Sequence, residues 1–346
     1  MTTRFEAEVR EQPVVLERLL REGRGGAEAI AARVRAYAPR FAVLAARGTS
    51  DNAAHYGQYL LGIQNRLLAA LATPSLFTHY DAAPSLTGAF VIGISQSGQS
   101  PDIVEVVRAA RGQGAVTLAI TNDARSPLAS AAELVLPLLA GKEEAVAATK
   151  TYTAQLMALA MVSAALRGEA TAWDELGRLP ELVARSIDLG LPFIPLAAGF
   201  REQTRLVVVG RGYNLSTALE IALKIKETSA IMADGYSSAD FLHGPMAILD
   251  QSLPVLVVAP GTRTFEELEG VVGMAKERGA RLLAISDRRS LLEAAEIGMP
   301  LPPDIPEWLS PLVAVVPGQI WALGLSLARG MHPDAPRGLS KVTRTR

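Results

Sequence analysis

The sequence of 346 residues contains no cysteine. This absence excludes disulfide bonds, cysteine-ligated metal sites and any thiol nucleophile in these residues. It also fits a reducing compartment, so we expect a cytoplasmic location. At roughly 100–200 residues per domain, the length predicts two domains with full hydrophobic cores.

Net charge is also nearly absent. Lys and Arg total 34 and Asp and Glu total 35, which gives a formal net charge of −1 at pH 7. No global field favours DNA, RNA or an anionic membrane, so we expect no nucleic-acid partner. Residues 1–20 carry charges throughout and lack the apolar stretch of a signal peptide, which also favours the cytoplasm.

One long run departs from this even distribution of charge. Residues 308–328 carry no charge and are numerous enough to raise the question of a membrane span. Pro317, Gly318 and Gln319 lie within the run, and breakers and polar groups in lipid need internal partners. The run therefore predicts a buried helix, and we expect no membrane association.

The chain repeats itself. Short apolar runs alternate with longer helical patterns, which is typical of βαβ units on a parallel sheet. The runs at residues 41–46 and 91–94 recur at 205–210 and 255–258, each displaced by 164 residues. A register kept over several elements indicates duplication rather than chance.

We therefore predict an α/β fold with two tandem copies, each a parallel-sheet αβα sandwich. The predicted segments are an N-terminal helical arm (1–34), a first copy (35–168), a helical linker (169–198), a second copy (199–330) and a C-terminal tail (331–346). Within the linker, the pattern predicts a helix from Thr171 to Leu189 that is broken by Pro180.

The copies diverge most in the loop after their second matched strand. The first copy has the hydroxyl-rich Ser95–Asp102 segment leading into a helix, where the second has residues 259–262. A second polar loop, Gly48–Asp51, follows the neighbouring strand. Helix N-termini and hydroxyl groups at adjacent strand ends favour a phosphate site that needs no Lys or Arg. Ordinary helix capping is the alternative.

The second divergence is a charged face on the helix after residue 212. Glu220, Lys224 and Glu227 are spaced i, i+4, i+7 and share one face of a largely apolar helix. This favours an enclosed general base, against the alternative of a solvated stripe. His243 follows in a Gly-Pro turn, and we interpret it as a proton-transfer residue near that base, with a structural histidine as the alternative.

These residues belong to motifs of a known family. Five segments resemble the tandem sugar-isomerase (SIS) domains in the isomerase half of glucosamine-6-phosphate synthase: Ala46–Ser50, Ser95–Gly98, Val146–Lys150, Glu220–Glu227 and His243–Pro245. The resemblance extends over essentially the whole chain.

The resemblance implies a role for each matching residue. Glu227 matches the base that moves a proton between C1 and C2, and Glu220 and Lys224 match residues that support it. His243 matches a ring-opening residue supplied by the neighbouring subunit, and Lys341 matches a contact to the open-chain sugar. The implied sugar-phosphate binders are Thr49, Ser50, Ser95, Gln96, Ser97, Ser100 and Val146.

Two departures from the synthase bear on function. Ala148 stands where the family usually has a serine, which removes one expected sugar contact. The glutaminase domain and its cysteine are also missing, so we expect no ammonia transfer from glutamine. The segment Ala46–Asn52 resembles the deaminase branch more than the synthase.

We therefore expect a glucosamine-6-phosphate deaminase that needs no metal or redox cofactor and acts on a small-molecule sugar phosphate. The alternatives are a fructosamine-6-phosphate deglycase, another phosphosugar aldose–ketose isomerase, and a non-catalytic sugar-phosphate sensor.

Two further expectations concern assembly and the tail. Because His243 is implied to act in trans, we expect a homodimer, and an apolar stripe from Arg4 to Leu20 offers it a contact surface. We expect the tail to fold over the crevice and bring Lys341 to the substrate. Arg344 should then matter less than Lys341.

Overall fold

The computed structural model describes residues 2–341 and divides them into two compact units. The first unit comprises residues 14–143, 150–178 and 340–341. The second unit comprises residues 2–13, 144–149 and 179–339. Each unit is built around one five-stranded sheet.

The sheet of the first unit is entirely parallel and has the strand order β2-β1-β3-β4-β5. Its central strand β3 is buried along its whole length, as expected for a Val- and Ile-rich run with helices on both faces. The strands are β1 (Phe41–Ala45), β2 (Ala69–Leu71), β3 (Ala89–Ile94), β4 (Val116–Thr121) and β5 (Leu134–Pro137).

Seven helices accompany this sheet. They are α2 (Gln12–Tyr37), α3 (Thr49–Asn65), α4 (Ser75–Thr78), α5 (Pro101–Gly112), α6 (Pro127–Ala131), α7 (Lys150–Arg167) and α8 (Ala170–Gly177). Helix α7 is buried on nearly all sides and packs on α3. This packing places side chains of α7 next to the first turn of α3.

The second unit repeats the same parallel topology, with the strand order β10-β9-β8-β6-β7. Here β6 occupies the place of β1, and β8 that of β3, so the predicted α/β duplication is confirmed. The strands are β6 (Arg205–Gly210), β7 (Met232–Ser237), β8 (Pro254–Val258), β9 (Arg281–Ser286) and β10 (Ile297–Pro300).

The helices of the second unit include the arm's first helix. They are α1 (Arg4–Arg10), α9 (Leu179–Gly190), α10 (Leu215–Ser229), α11 (Ser238–Leu242), α12 (Phe265–Glu277), α13 (Arg289–Ala294) and α14 (Ser310–Ala328). Short 3₁₀ turns cover Leu191–Phe193, Pro195–Phe200, Gly212–Asn214, Pro245–Ile248 and Glu307–Leu309.

Helix α14 contains most of the long uncharged run. Glu307–Ala328 is long and apolar enough to cross a membrane by length and composition, but 89% of its most apolar window is buried inside the protein. The helix packs on α10 and α9 of its own unit. The predicted buried helix is confirmed.

The linker helix breaks two residues before the predicted position. Helix α8 ends at Gly177 and α9 begins at Leu179, so Pro180 lies in the first turn of α9. Proline is tolerated there because the N–H groups of a first helical turn have no intrahelical acceptor.

The expected apolar contact surface of the arm is not available. Phe5, Val9, Val15, Leu16 and Leu19 are at most 1% exposed within the single chain. The interpretation that this stripe packs on a partner is therefore wrong, because the chain covers it with its own side chains.

Candidate active site

The first polar loop joins β1 to α3 in the first unit. Gly48 has φ +55° and precedes the helix, and Thr49 and Ser50 form its first turn. The Ser50 N–H donates to the carbonyl of Arg47, so the loop is closed by a tight turn. Ser50 is 7% exposed. Its Oγ accepts a hydrogen bond of 2.9 Å from Nε2 of Gln155, which lies on α7.

The second polar loop joins β3 to α5 and folds back on itself. Gly98 N donates to Ser95 Oγ at 3.1 Å, and Gln99 N donates to Ser97 Oγ at 3.3 Å. Ser100 occupies the cap position of α5, but its side chain makes no capping hydrogen bond. Ser100 therefore does not cap α5 through its side chain.

Several donors in this loop point to no protein group. Within residues 2–341, the backbone N–H groups of Gln96, Ser97 and Ser100 have no hydrogen-bond acceptor. Helix α5 begins directly after them, and its dipole favours negative charge at this end. The loop therefore has the donors that an anion requires.

The two loops lie side by side at one edge of the sheet. Strands β1 and β3 are parallel neighbours, with Ala45 paired to Gly93 near their carboxyl ends. Thr49 and Ser50 thus share this edge with the Ser95–Ser100 loop. Phosphate binding by these residues stays a prediction.

An ion pair that sequence reasoning missed links the same two loops. Arg47 Nε lies 2.8 Å from Asp102 Oδ2, and the Asp102 side chain is 1% exposed. The second unit has a counterpart, in which Arg211 Nε lies 3.2 Å from Glu267 Oε2. Because Arg47 and Arg211 are separated by the repeat displacement, the repeat could have revealed this pair.

Asp51 also contributes charge in the first turn of α3. Burial is the largest influence on this carboxyl and raises its pKa above the ordinary value of 3.8, while His55 and Arg47 act in the opposite direction. An ionised Asp51 is thus disfavoured by its surroundings.

The described end of the tail is tied to a buried carboxylate. Lys341 Nζ lies 2.6 Å from Glu143 Oε2, and the Glu143 side chain is fully buried. Thr151 donates to the same carboxylate through its N–H at 3.1 Å and its hydroxyl at 2.7 Å. Sequence reasoning named Lys341 but missed Glu143. Arg344 lies outside the described residues.

Val146 belongs to the second unit. Its backbone N–H donates to the Asp334 carbonyl at 3.0 Å. The Asp334 carboxylate in turn accepts hydrogen bonds from the N–H groups of Arg4 and Phe5. The segment around Val146 is therefore held between the arm and the tail.

The charged face of α10 forms a buried cluster. Lys224 Nζ lies 2.5 Å from Glu227 Oε2 and 3.3 Å from Glu220 Oε1. Lys224 and Glu220 are fully buried, whereas the Glu227 side chain is 22% exposed. The alternative of a solvated stripe is therefore wrong, and Glu227 is the member of the cluster that a ligand can reach.

The cluster keeps its ammonium charged. Burial alone lowers the pKa of Lys224, but the nearby Glu220 and Glu227 carboxylates outweigh this effect and raise it above the ordinary value of 10.5. A charged Lys224 orients the Glu227 carboxylate and offsets part of the negative charge that two carboxylates would otherwise place side by side.

His243 does not lie beside Glu227 of the same chain. Glu227 is near the end of α10, just before β7, whereas His243 follows the carboxyl end of β7 and the short α11. At about 3.3 Å per residue, a six-residue strand separates these two places by roughly 17–20 Å. Glu227 thus precedes the start of β7 and His243 follows its carboxyl end, and the role of His243 in proton transfer stays a prediction.

The packing of α10 fixes this separation. A Cβ on Gly235 of β7 would come within 2.9 Å of Leu219 Cα, so the start of α10 lies against the later part of β7. Glu227 lies two turns further along α10, close to the end of the helix that precedes β7. His243 is exposed, and its N–H donates to the carbonyl of Asp240.

A sequence profile of the SIS domain matches the chain twice, over residues 38–165 and 199–323. The chain belongs to the SIS domain family. The two matches coincide with the two parallel sheets, so the expected family and the duplicated fold are both confirmed.

Relatives of this SIS chain convert sugar phosphates. An isomerizing glutamine–fructose-6-phosphate aminotransferase from Thermococcus kodakarensis is 34% identical over 343 residues, which cover 96% of this chain and 56% of the relative. The chain thus spans about half the length of the curated relatives that it matches.

Solved structures extend the comparison. A candidate phosphosugar isomerase from Silicibacter pomeroyi is 34% identical, with a TM-score of 0.88, 96% of this chain covered and 100% of that one. A glucosamine-6-phosphate deaminase from Thermotoga maritima shares the fold at 20% identity, with a TM-score of 0.80 and coverage of 99% and 100%. The expected enzyme class, that of SIS phosphosugar isomerases, is confirmed.

Proposed function

We propose that this SIS protein is a glucosamine-6-phosphate deaminase, which converts glucosamine 6-phosphate and water to fructose 6-phosphate and ammonia. The observation that carries the proposal is the Glu220–Lys224–Glu227 cluster, in which a buried ammonium orients one accessible carboxylate. Such a carboxylate is suited to move a proton between neighbouring carbons.

In the proposed reaction, the phosphate group binds at the edge where the loops after β1 and β3 end. The unused N–H groups of Gln96, Ser97 and Ser100 support this role, together with the hydroxyls of Thr49 and Ser50. An anchored phosphate restricts the motion of the bound sugar, which is the condition for an oriented proton transfer.

The chemical step needs one base and one water. Glu227 removes the proton from C2 of the open-chain sugar, which gives an enolamine, and returns a proton to C1. This leaves an imine at C2, and water hydrolyses it to the ketone with release of ammonia. Lys341 contacts the open-chain sugar in this scheme, and Glu220 and Lys224 support the base.

The direction of the reaction is proposed from the groups that this scheme uses. The Thermotoga maritima deaminase shares the fold over the whole chain. Release of ammonia by imine hydrolysis requires only the groups named above.

A plain phosphosugar aldose–ketose isomerase is the second candidate, and the likeness to the candidate isomerase from Silicibacter pomeroyi favours it. The two activities share the phosphate site and the proton shuttle and differ in whether ammonia leaves C2. A fructosamine-6-phosphate deglycase uses the same groups. Substrate identity therefore distinguishes the candidates.

The test is a substrate panel with purified protein. Ammonia release is measured with glucosamine 6-phosphate, unphosphorylated glucosamine and fructosamine 6-phosphate, and isomerisation is measured with fructose 6-phosphate. The proposal predicts ammonia and fructose 6-phosphate from glucosamine 6-phosphate and little reaction without the phosphate. Isomerisation of fructose 6-phosphate without ammonia release from any of the three amino sugars would favour the second candidate.

We further propose that the protein acts as a homodimer in which His243 serves the site of the partner subunit and opens the sugar ring. The separation of His243 from Glu227 within one chain supports this arrangement. The cytoplasmic location stays a prediction.

Complementation tests the exchange of His243. Glu227→Gln and His243→Ala chains are each expected to be inactive, and a mixture allowed to exchange subunits should recover about a quarter of the wild-type activity. This figure holds because half of the dimers are mixed and each mixed dimer has one intact site. A mixture that stays inactive although the subunits exchange would contradict the arrangement.

A further inference from the structure

The hydrogen bond between Gln155 and Ser50 connects the interior of the first unit to the first polar loop. Gln155 lies on α7 and is 1% exposed, and its Nε2 donates to Ser50 Oγ at 2.9 Å. Both residues are in the same compact unit. A buried amide thus fixes one side of a hydroxyl group that lies at the edge of the sheet.

This bond determines what the hydroxyl proton can do. A serine hydroxyl has one proton to donate and two lone pairs that accept. Gln155 occupies a lone pair, and within residues 2–341 the Ser50 hydroxyl donates to no protein group. The proton is therefore available to an acceptor outside the protein.

The glutamine is not accounted for by stability. Gln155 Oε1 is buried and accepts no hydrogen bond from any described residue, and an unsatisfied buried acceptor destabilises a fold. The interior of α7 is otherwise largely apolar, so Leu or Met would fill this place without leaving an acceptor unpaired. Unlike Leu or Met, the amide donates a hydrogen bond to Ser50 Oγ.

We propose that Gln155 is a positioning residue that makes Ser50 a hydrogen-bond donor to the phosphate group of the substrate. By donating to Ser50 Oγ, the amide leaves the hydroxyl proton directed away from α7 and raises the donor strength of the hydroxyl through a chain of hydrogen bonds. The inference rests on the proposed function, since it assumes that the polar loops bind phosphate.

The second copy provides a matched control. Gln319 of α14 corresponds to Gln155 by the repeat displacement and is also fully buried. Its Oε1 accepts a hydrogen bond from Gln12 Nε2 at 2.9 Å, so this partner is an amide rather than a hydroxyl. Gln319→Leu therefore removes a buried glutamine from a corresponding helix without altering a serine donor.

Apolar and acidic substitutions at position 155 are expected to weaken phosphate binding to different extents. Gln155→Leu leaves the Ser50 hydroxyl free to rotate and should weaken phosphate binding a few-fold. Gln155→Glu is nearly isosteric but accepts the hydroxyl proton, so it should weaken binding by about tenfold or more, as Ser50→Ala does. Gln155→Met should resemble Gln155→Leu.

The experiment is isothermal titration of the 346-residue protein with inorganic phosphate and with glucosamine 6-phosphate at constant ionic strength. We expect the dissociation constant to increase from wild type through Gln155→Leu to Gln155→Glu, and to stay unchanged in Gln319→Leu. In a Ser50→Ala background, Gln155→Glu should have no further effect. Circular dichroism and thermal melting establish that each variant is folded.

Several results would overturn the proposal. Wild-type affinity in Gln155→Glu would mean that Ser50 does not need an amide donor, and normal affinity in Ser50→Ala would mean that its hydroxyl does not bind phosphate. The second result holds even if no Gln155 variant folds. If the wild-type protein binds neither ligand, the phosphate site of the proposed function fails, and the role of Gln155 fails with it.

Discussion

Lys224 and Glu227 are joined on one face of α10 by a hydrogen bond of 2.5 Å between Nζ and Oε2. The ammonium is fully buried, and the carboxylate is the accessible member of the pair. Lys224 is thus fixed by the core, while Glu227 is exposed enough for a ligand to reach its carboxylate. A base needs this combination of a fixed orientation and an open face.

Glu227→Gln should abolish catalysis and retain substrate binding. The amide keeps the shape of the side chain but cannot accept a proton, so we expect turnover to fall by orders of magnitude while the dissociation constant of glucosamine 6-phosphate changes little. Steady-state rates and calorimetric titration measure the two effects. Glu269→Gln, on an exposed part of α12, is the control and should behave as wild type. A sugar-phosphate sensor would have no turnover to lose.

Lys224→Met should destabilise the second unit. It leaves Glu220 fully buried without its ammonium, and breaking a buried pair in this way typically costs about 3–5 kcal/mol. The double variant Glu220→Gln, Lys224→Met should recover much of that loss because position 220 then carries no charge. Denaturant unfolding followed by circular dichroism measures both values. Equal stability of the single and double variants would contradict the charge argument.

Gly98→Ala should weaken phosphate binding through the shape of the second loop. Gly98 has φ +63°, and a Cβ there would come 2.1 Å from Ser126 Oγ. The loop must shift, which moves the N–H groups that follow it. Gly114→Ala is the matched control, since it also has a positive φ but no atom within 4 Å of the added Cβ. Both variants should lose roughly 1 kcal/mol of stability from backbone strain. Only Gly98→Ala should bind inorganic phosphate more weakly.

Asp51→Asn should stabilise the protein in a pH-dependent way. Burial raises the pKa of Asp51 in the folded state, so the folded state binds this proton more tightly than the unfolded state does. Wild-type stability therefore falls as the pH rises through the ordinary value of 3.8 to the raised value. The Asn variant avoids this loss, and its melting temperature should exceed that of wild type at pH 7 but not below pH 3.8. A gain that is the same at both pH values would refute the assignment.

Lys341→Met should lower turnover more than it lowers stability. The structure holds Lys341 on the buried Glu143, and the proposed function brings it to the open-chain sugar. Arg337→Met, at an exposed position of the same tail, is the control and should keep wild-type rates. Comparison of kcat with the melting temperature separates a chemical role from a structural one. Equal, small effects of both variants would show that the tail does not take part.

Much of the fold followed from the sequence because duplication preserves spacing. The strands at residues 41–45 and 205–210 could be matched by their displacement alone, and buried parallel strands have a simple apolar pattern. The polar loops could be found because the copies differ there. These features depend on local composition and on the repeat, both of which a single sequence displays.

The remaining features depend on contacts between distant residues. Glu143 and Lys341 are 198 positions apart, and Gln155 and Ser50 are 105 positions apart. No local pattern indicates such pairs. Glu227 and His243 are only sixteen positions apart, but β7 extends between them. Two residues at opposite ends of a strand are far apart in space even when few residues separate them in the sequence.

The most direct measurement follows deuterium at C1 of fructose 6-phosphate during deamination. One sample contains glucosamine 6-phosphate in D₂O, and the other contains the substrate deuterated at C2 in H₂O. If Glu227 moves a proton from C2 to C1, deuterium appears at C1 in one or both samples, and the two amounts add to about one atom per turnover. Glu227→Gln should yield no labelled product. Ammonia release with no deuterium at C1 in either sample, or labelling that is unchanged in Glu227→Gln, would contradict proton transfer by this carboxylate.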